Sequence, residues 1–214
     1  MKKISFIIYV VILINSFSAK AVPNSFADLV ENLVPSVVSI ASTTIVKNQN
    51  NQPMPRFPDG SPFDEFFKDY FENEKRNSPS RRPMVGLGSG FIIDPIGIIV
   101  TNNHVIEGAD EITVIMHDQK EYSAELLGRD PKADLAVLKI DPGEDTLKAV
   151  TWGDSNLIRV GDWSIAIGNP LGLGGTVTAG IISAISRDIG NGPYVKFLQT
   201  DASINRGNSG GPLF

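Results

Sequence analysis

The stretch GSGFIIDPIGIIVTNNHVI, residues 88–106, holds two short apolar runs separated by a turn and ends on a polar patch that carries a histidine. Isoleucine, valine and phenylalanine dominate both runs, and such side chains fit a pleated, half-buried surface. The pattern continues downstream in EITVIMH (111–117), YSAELLG (122–128), DLAVLKI (134–140), DWSIAIG (162–168), TVTAGIISAIS (176–186) and YVKFLQT (194–200). Together these are eight closely spaced strand candidates with no convincing long helix, which predicts an all-β barrel or sandwich. Upstream, PSVVSIAST (35–43) is a further strand candidate.

The chain has 214 residues, 42% of them hydrophobic, which allows one or two small domains with real cores. Residues 1–21 read differently. Lys2 and Lys3 precede the apolar run ISFIIYVVILI (4–14), and Ala19-Lys20-Ala21 follows as a small-residue cleavage pattern. Basic start, apolar run and A-x-A form a secretory signal peptide. The run is too short for a spanning helix, which needs about 20 residues, and no other stretch is long enough. Cleavage after Ala21 removes three lysines and no acids, taking the formal charge from -5 to -8. An acidic chain without a basic cluster is a poor partner for nucleic acid. The absence of cysteine means no disulfides, and with two histidines no structural zinc site is expected. Asp94, Asp110 and Asp118 are dispersed acids beside turns, so no metal site is assigned.

Ser25 to Val34 predicts a short helix with Phe26, Leu29, Val30 and Leu33 on one apolar stripe, a Ser25/Asp28 capping box, and Pro35 as its end. Residues 47–84 hold six prolines and 13 charged residues and read as a long surface loop. Inside it, SPFDEFFKDYF (61–71) places Phe63, Phe66, Phe67, Tyr70 and Phe71 at helical spacing. That stripe either packs on its own domain or docks on a partner or a cleft. The glycines Gly86-x-Gly88-x-Gly90 and Gly172-x-Gly174-Gly175 lack the spacing of a dinucleotide fingerprint or a P-loop, and are expected in tight turns between strands.

The chain ends on INRGNSGGPLF (204–214), with Ser209 wrapped in glycines. A serine nucleophile needs a base, and the base needs an orienting carboxylate. His117 sits beside Asp118 and Gln119 in a hairpin turn and reads as a surface residue. His104 lies where an apolar strand meets a polar stretch, a place that fixes a side chain yet leaves it reachable. Of Asp130, Asp134 and Asp141, the first and last precede prolines and read as turn residues, whereas Asp134 leads directly into an apolar strand and is drawn toward a core. The order His104, Asp134, Ser209 is the order found on the chymotrypsin fold. Gly207 and the turn at Ser209 can present backbone N–H groups to an oxyanion.

With these residues in place, the chain resembles the HtrA/DegP-type secreted serine proteases of the chymotrypsin superfamily. The resemblance runs from about Ala27 to Phe214, interrupted by the loop at 47–84. It is carried by GLGSGFIID (86–94), GIIVTNNHVI (97–106), DPKADLAVLKI (130–140), GDWSIAIGNPLGLGGTVTAGIISAISR (161–187) and FLQTDASINRGNSGGPLF (197–214). It implies His104 as general base, Asp134 as its orienter and Ser209 as nucleophile, with the amides of Gly207, Asn208 and Ser209 as oxyanion hole. Ser203 and Ile204 fall where the primary pocket is expected. Neither is acidic, so cleavage after small or medium aliphatic residues is expected rather than after Lys or Arg.

The resemblance further implies a chymotrypsin-like double β-barrel. Residues 22–34 form an N-terminal helical segment, 35–146 the first barrel with the regulatory loop at 47–84, and 147–214 a second barrel left incomplete. The strands that follow the serine and the PDZ domain of such proteases are absent, so the chain reads as truncated. The expected activity is ATP-independent, cofactor-free endoproteolysis of unfolded or damaged proteins in the periplasm, by a homotrimer or a multiple of trimers. Two rival readings stand beside it: chaperone-like binding of unfolded chains without cutting, and an inactive fragment.

Overall fold

In the computed structural model, residues 23–44, 84–169, 175–187, 196–205 and 207–214 are described. The signal segment, the aromatic stripe at 61–71 and the glycines at 172 and 174 lie outside them. Nine strands are present among the described residues: β1 Val37–Thr44, β2 Met84–Asp94, β3 Ile98–Thr101, β4 Glu111–Ile115, β5 Glu121–Asp130, β6 Leu135–Ile140, β7 Trp163–Gly168, β8 Thr176–Arg187 and β9 Phe197–Thr200. Each of the eight runs from Gly88 onward contains one of them. Two short helices accompany them, α1 Ala27–Leu33 and α2 Asn103–Ile106.

Strands β1 to β6 close into an antiparallel barrel in the order β1-β2-β3-β6-β5-β4. Closure comes from β4 pairing back onto β1, with Ser39 opposite Ile115 and Thr43 opposite Glu111. A closed sheet has no unpaired edge. Alternation sets the inward face: in β6, Ala136, Leu138 and Ile140 are buried while Leu135 is 47% exposed. Ile40, Ile92, Ile99 and Val114 point to the same core from four other strands. Burying each such side chain contributes about 1.5–3 kcal/mol.

Strands β7, β8 and β9 form a second antiparallel sheet. The C-terminal residues pair alongside β7: Ile165 N–H donates to Phe214 O at 2.7 Å and Phe214 N–H returns to Ile165 O at 2.8 Å. Val37 of β1 packs with Ile165 and Ile167 of β7, and Phe26, Val30, Leu33 and Phe214 cover them. The expected stripe therefore does pack on the following fold, except that Leu29 is 48% exposed. At 100° per residue, Leu29 lies about 60° off the line through Phe26, Val30 and Leu33.

Three local expectations are corrected. The capping box does not form, since Ser25 Oγ accepts the Ala27 N–H and the helix N-cap is Phe26, without a side-chain bond. Pro35 does not simply end the helix but sits inside a 3-10 turn, Val34–Ser36, that leads into β1. The Gly86-x-Gly88-x-Gly90 series is not a turn either, because all three lie within β2. At period 2 they share one face of the strand. A Cβ on Gly88 would lie 2.6 and 2.7 Å from the two methyl carbons of Val105 in α2. The bare face lets α2 approach β2 closely, and α2 carries His104.

Candidate active site

Strands β3 and β6 are neighbours, with Thr101 opposite Ala136. That register brings the residues just after β3 and just before β6 to one end of the barrel. His104 is in the first turn of α2, and Asp134 immediately precedes β6.

A helix start leaves backbone N–H groups without partners. In α2 the N-cap residue Asn102 does not satisfy them with its side chain. Asp134 does so from the start of the neighbouring strand. Its carbonyl oxygen accepts from Asn103 N–H at 3.1 Å and from Asn102 Nδ2 at 2.7 Å. Its Oδ1 accepts the His104 N–H at 2.9 Å, and its Oδ2 lies 2.7 Å from His104 Nδ1. A carboxylate only accepts, so Nδ1 carries a proton, and in the neutral ring the lone pair is then on Nε2. Turning both the carbonyl and the carboxylate toward α2 requires an unusual backbone, and Asp134 has φ +53°. Asp is among the few residues that visit this region as single residues. The expectation that Asp134 is drawn into a core is corrected: its side chain remains 37% exposed, against 17% for His104. It is held by the helix start instead of by apolar burial.

The other aspartates behave as turn residues. Asp130 Oδ1 accepts from Lys132 N–H at 2.9 Å, and Asp141 Oδ1 accepts from Gly143 N–H at 3.0 Å. His117 is exposed in the turn between β4 and β5.

The serine lies in two consecutive turns that share Asn208. Asn208 N–H donates to Asn205 O at 3.1 Å, and Gly211 N–H donates to Asn208 O at 2.8 Å. Gly207 and Gly210 occupy the third positions with φ +97° and +81°. A positive φ at the third position is the mark of a type II turn and favours glycine. Ser209 is thus the second residue of the second turn. Gly210 packs so tightly that a Cβ would lie 2.2 Å from Ser89 O, 2.4 Å from Thr101 Oγ1 and 3.0 Å from Asn102 N. The loop carrying Ser209 therefore rests against the strand end that leads to His104. The Asn208 amide, counted above among the oxyanion donors, is turned inward to Asn205. Among the described residues neither the Gly207 nor the Ser209 amide is bonded inside the loop.

Ser203 and Ile204 are both exposed, Ile204 at 62%. Ser203 contributes its carbonyl, which accepts from Thr178 Oγ1 at 2.8 Å. Asp201, two positions before Ser203 in the chain, accepts the Ile181 N–H at 2.6 Å. Two residues of the site were not singled out by sequence reasoning, Ser89 and Asn102. Ser89 is a polar residue, fully buried inside a strand, and such a group must find partners. The G-S-G spelling at 88–90 within an apolar run was the available signal.

A closed six-stranded barrel, a second antiparallel sheet and a His–Asp pair beside a glycine-turn serine define a chymotrypsin-like architecture. Residues 88–214 match the Trypsin-like peptidase domain family, and the chain belongs to that family. It is 46% identical over 211 residues to a probable periplasmic serine endoprotease DegP-like of Brucella suis, covering 88% of this chain and 41% of that protein. It is 49% identical over 207 residues to the protein so described in Rickettsia conorii, covering 92% and 39%. Among solved structures, it resembles the HtrA-type protease AlgW with decapeptide, with TM-score 0.66 and 43% identity over 88% of this chain and 55% of that one. The chain spans about two fifths of the length of these curated relatives.

Proposed function

We propose that this chain is the proteolytic part of a serine endopeptidase of the HtrA/DegP type. The observation that carries the reading is the double hold of Asp134 on His104, at the backbone N–H and at Nδ1. It orients the ring and sets the tautomer that a general base requires. In this reading His104 Nε2 removes the Ser209 hydroxyl proton as Oγ attacks the scissile carbonyl, and passes it to the leaving amine. Water then hydrolyses the acyl-enzyme by the same path in reverse. The Gly207 and Ser209 amides receive the oxyanion, while Asn208 shapes the turn. Preorganised donors of this kind are worth about 3–4 kcal/mol each in the transition state. No cofactor enters the steps.

The substrates are unfolded or damaged proteins, met in the periplasm after export by the segment 1–21. Ser203 and Ile204 offer no acid to a basic side chain, which favours cleavage after small or medium aliphatic residues. The working assembly is a homotrimer or a multiple of trimers. Labelling of the chain by a fluorophosphonate probe, beside Ser209→Ala, tests the nucleophile. Labelling that vanishes in the variant is expected, and a folded chain that takes no label would overturn the reading.

A further inference from the structure

Ser89 lies in β2, on the barrel, yet it touches the serine loop at three points. Its backbone N–H donates to Ser209 O at 2.8 Å. Its Oγ donates to Gly207 O at 2.5 Å. Its carbonyl oxygen meets the position a Gly210 Cβ would take and accepts from Thr101 Oγ1 at 2.7 Å. The same Oγ accepts the Asn169 N–H at 2.8 Å, just past the end of β7. A hydroxyl has one proton to give and lone pairs to receive with, and Ser89 uses both capacities. The side chain is fully buried, so water does not compete for either bond.

We propose that Ser89 is a positioning residue for the oxyanion loop. Its hydroxyl ties the Gly207 carbonyl and the Asn169 amide to one point on β2. The hydrogen bonds from Asn208 N–H to Asn205 O and from Gly211 N–H to Asn208 O brace the loop internally, which leaves rotation of the loop as a body against the barrel to be restrained. The Ser89 bonds oppose that rotation. They index the Gly207 and Ser209 amides to the same strand whose glycine face seats α2 and His104. This inference rests on the proteolytic reading of Ser209, and it makes Ser89 act through the loop rather than on substrate.

The test compares fluorophosphonate labelling rates of the wild-type chain with Ser89→Ala, Ser89→Thr and Ser89→Cys. Hydrogen exchange at the Asn169 amide is measured in each. Ser89→Ala is expected to label roughly 10- to 100-fold more slowly, the scale of a small misplacement of a catalytic group. The Asn169 amide should lose protection in the same variant. Ser89→Thr keeps the hydroxyl and should retain most of the rate. Ser89→Cys keeps the size but bonds weakly, and should follow the alanine variant. The cysteine comparison decides the matter if the alanine variant does not fold. Wild-type rate in the alanine or cysteine variant would overturn the inference, as would equal loss in the threonine variant. Absence of labelling in the wild type strikes the proteolytic reading itself, whereas unchanged Asn169 exchange in the variants strikes Ser89 alone.

Discussion

Asp134 holds His104 at two atoms, with Oδ1 on the backbone N–H at 2.9 Å and Oδ2 at the ring Nδ1 at 2.7 Å. One carboxylate thus completes the start of a helix and orients the base that the helix carries. Structure and proposed chemistry depend on the same two oxygens, and the variants below separate them.

Asp134→Asn keeps an acceptor for the His104 N–H and tolerates the left-handed backbone, so the fold should persist. Its amide would donate to Nδ1 and impose the wrong tautomer. Peptidase kcat is expected to fall by about four orders of magnitude with little change in Tm. Steady-state kinetics beside a thermal melt checks both halves.

Gly88→Ala places a methyl group 2.6 Å from Val105. Overpacking of this kind costs about 1–3 kcal/mol, and here it pushes on α2 and His104. Urea unfolding and the labelling rate should both worsen. Adding Val105→Ala should recover part of each, and a double-mutant cycle reads the coupling.

Gly210→Ala meets a left-handed backbone and two oxygen atoms nearer than 2.5 Å. The loop must move, while the strand pairings that close the barrel do not include it. Loss of labelling with near-native far-UV circular dichroism is the expected result.

Leu138→Ala opens the barrel core, where Leu138 is fully buried, and should cost about 2–5 kcal/mol. Leu135→Ala, on the outer face of the same strand, should stay within about 0.5 kcal/mol. Urea midpoints of the two variants give the comparison.

Asp145 accepts from Lys120 Nζ and from Tyr122 OH, and these bonds, Lys120 first, hold its carboxyl below the usual aspartate range. A lowered folded pKa gives stability that is present above the ordinary aspartate range and is lost as pH falls through the lowered value. The group is exposed, so the effect is small and screened by salt. The Tm gap between wild type and Asp145→Asn should be open near neutral pH and close in strong acid.

The strands were legible because their signal is local. β-branched alternation marks an inward face whatever it later packs against, and every run from Gly88 onward holds a strand. Asp130 and Asp141 were legible as turn residues for the same reason, since an Asx turn needs only the next few residues. Three glycines in β2 were misread because glycine spells both a turn and a close approach, and only the arrival of α2 over Gly88 tells them apart. Leu29 was placed inside the stripe because periodicity gives a face but not its width, which the contact with β1 and β7 sets.

By itself the sequence determined an all-β chain and the order His104, Asp134, Ser209. The turn chemistry around Ser209 was also local, because glycine supplies the positive φ that residues 207 and 210 require. The tertiary structure alone decided how these residues meet. Pairing Thr101 with Ala136 aligns Asp134 with the start of α2, and the buried Ser89 hydroxyl joins Gly207 to Asn169. Those contacts join segments 30 residues apart, as for His104 and Asp134, or 118 apart, as for Ser89 and Gly207. Pairing of β3 with β6 and packing of the serine loop on β2 create such contacts, and no local pattern encodes which distant group a hydroxyl or carboxylate will face.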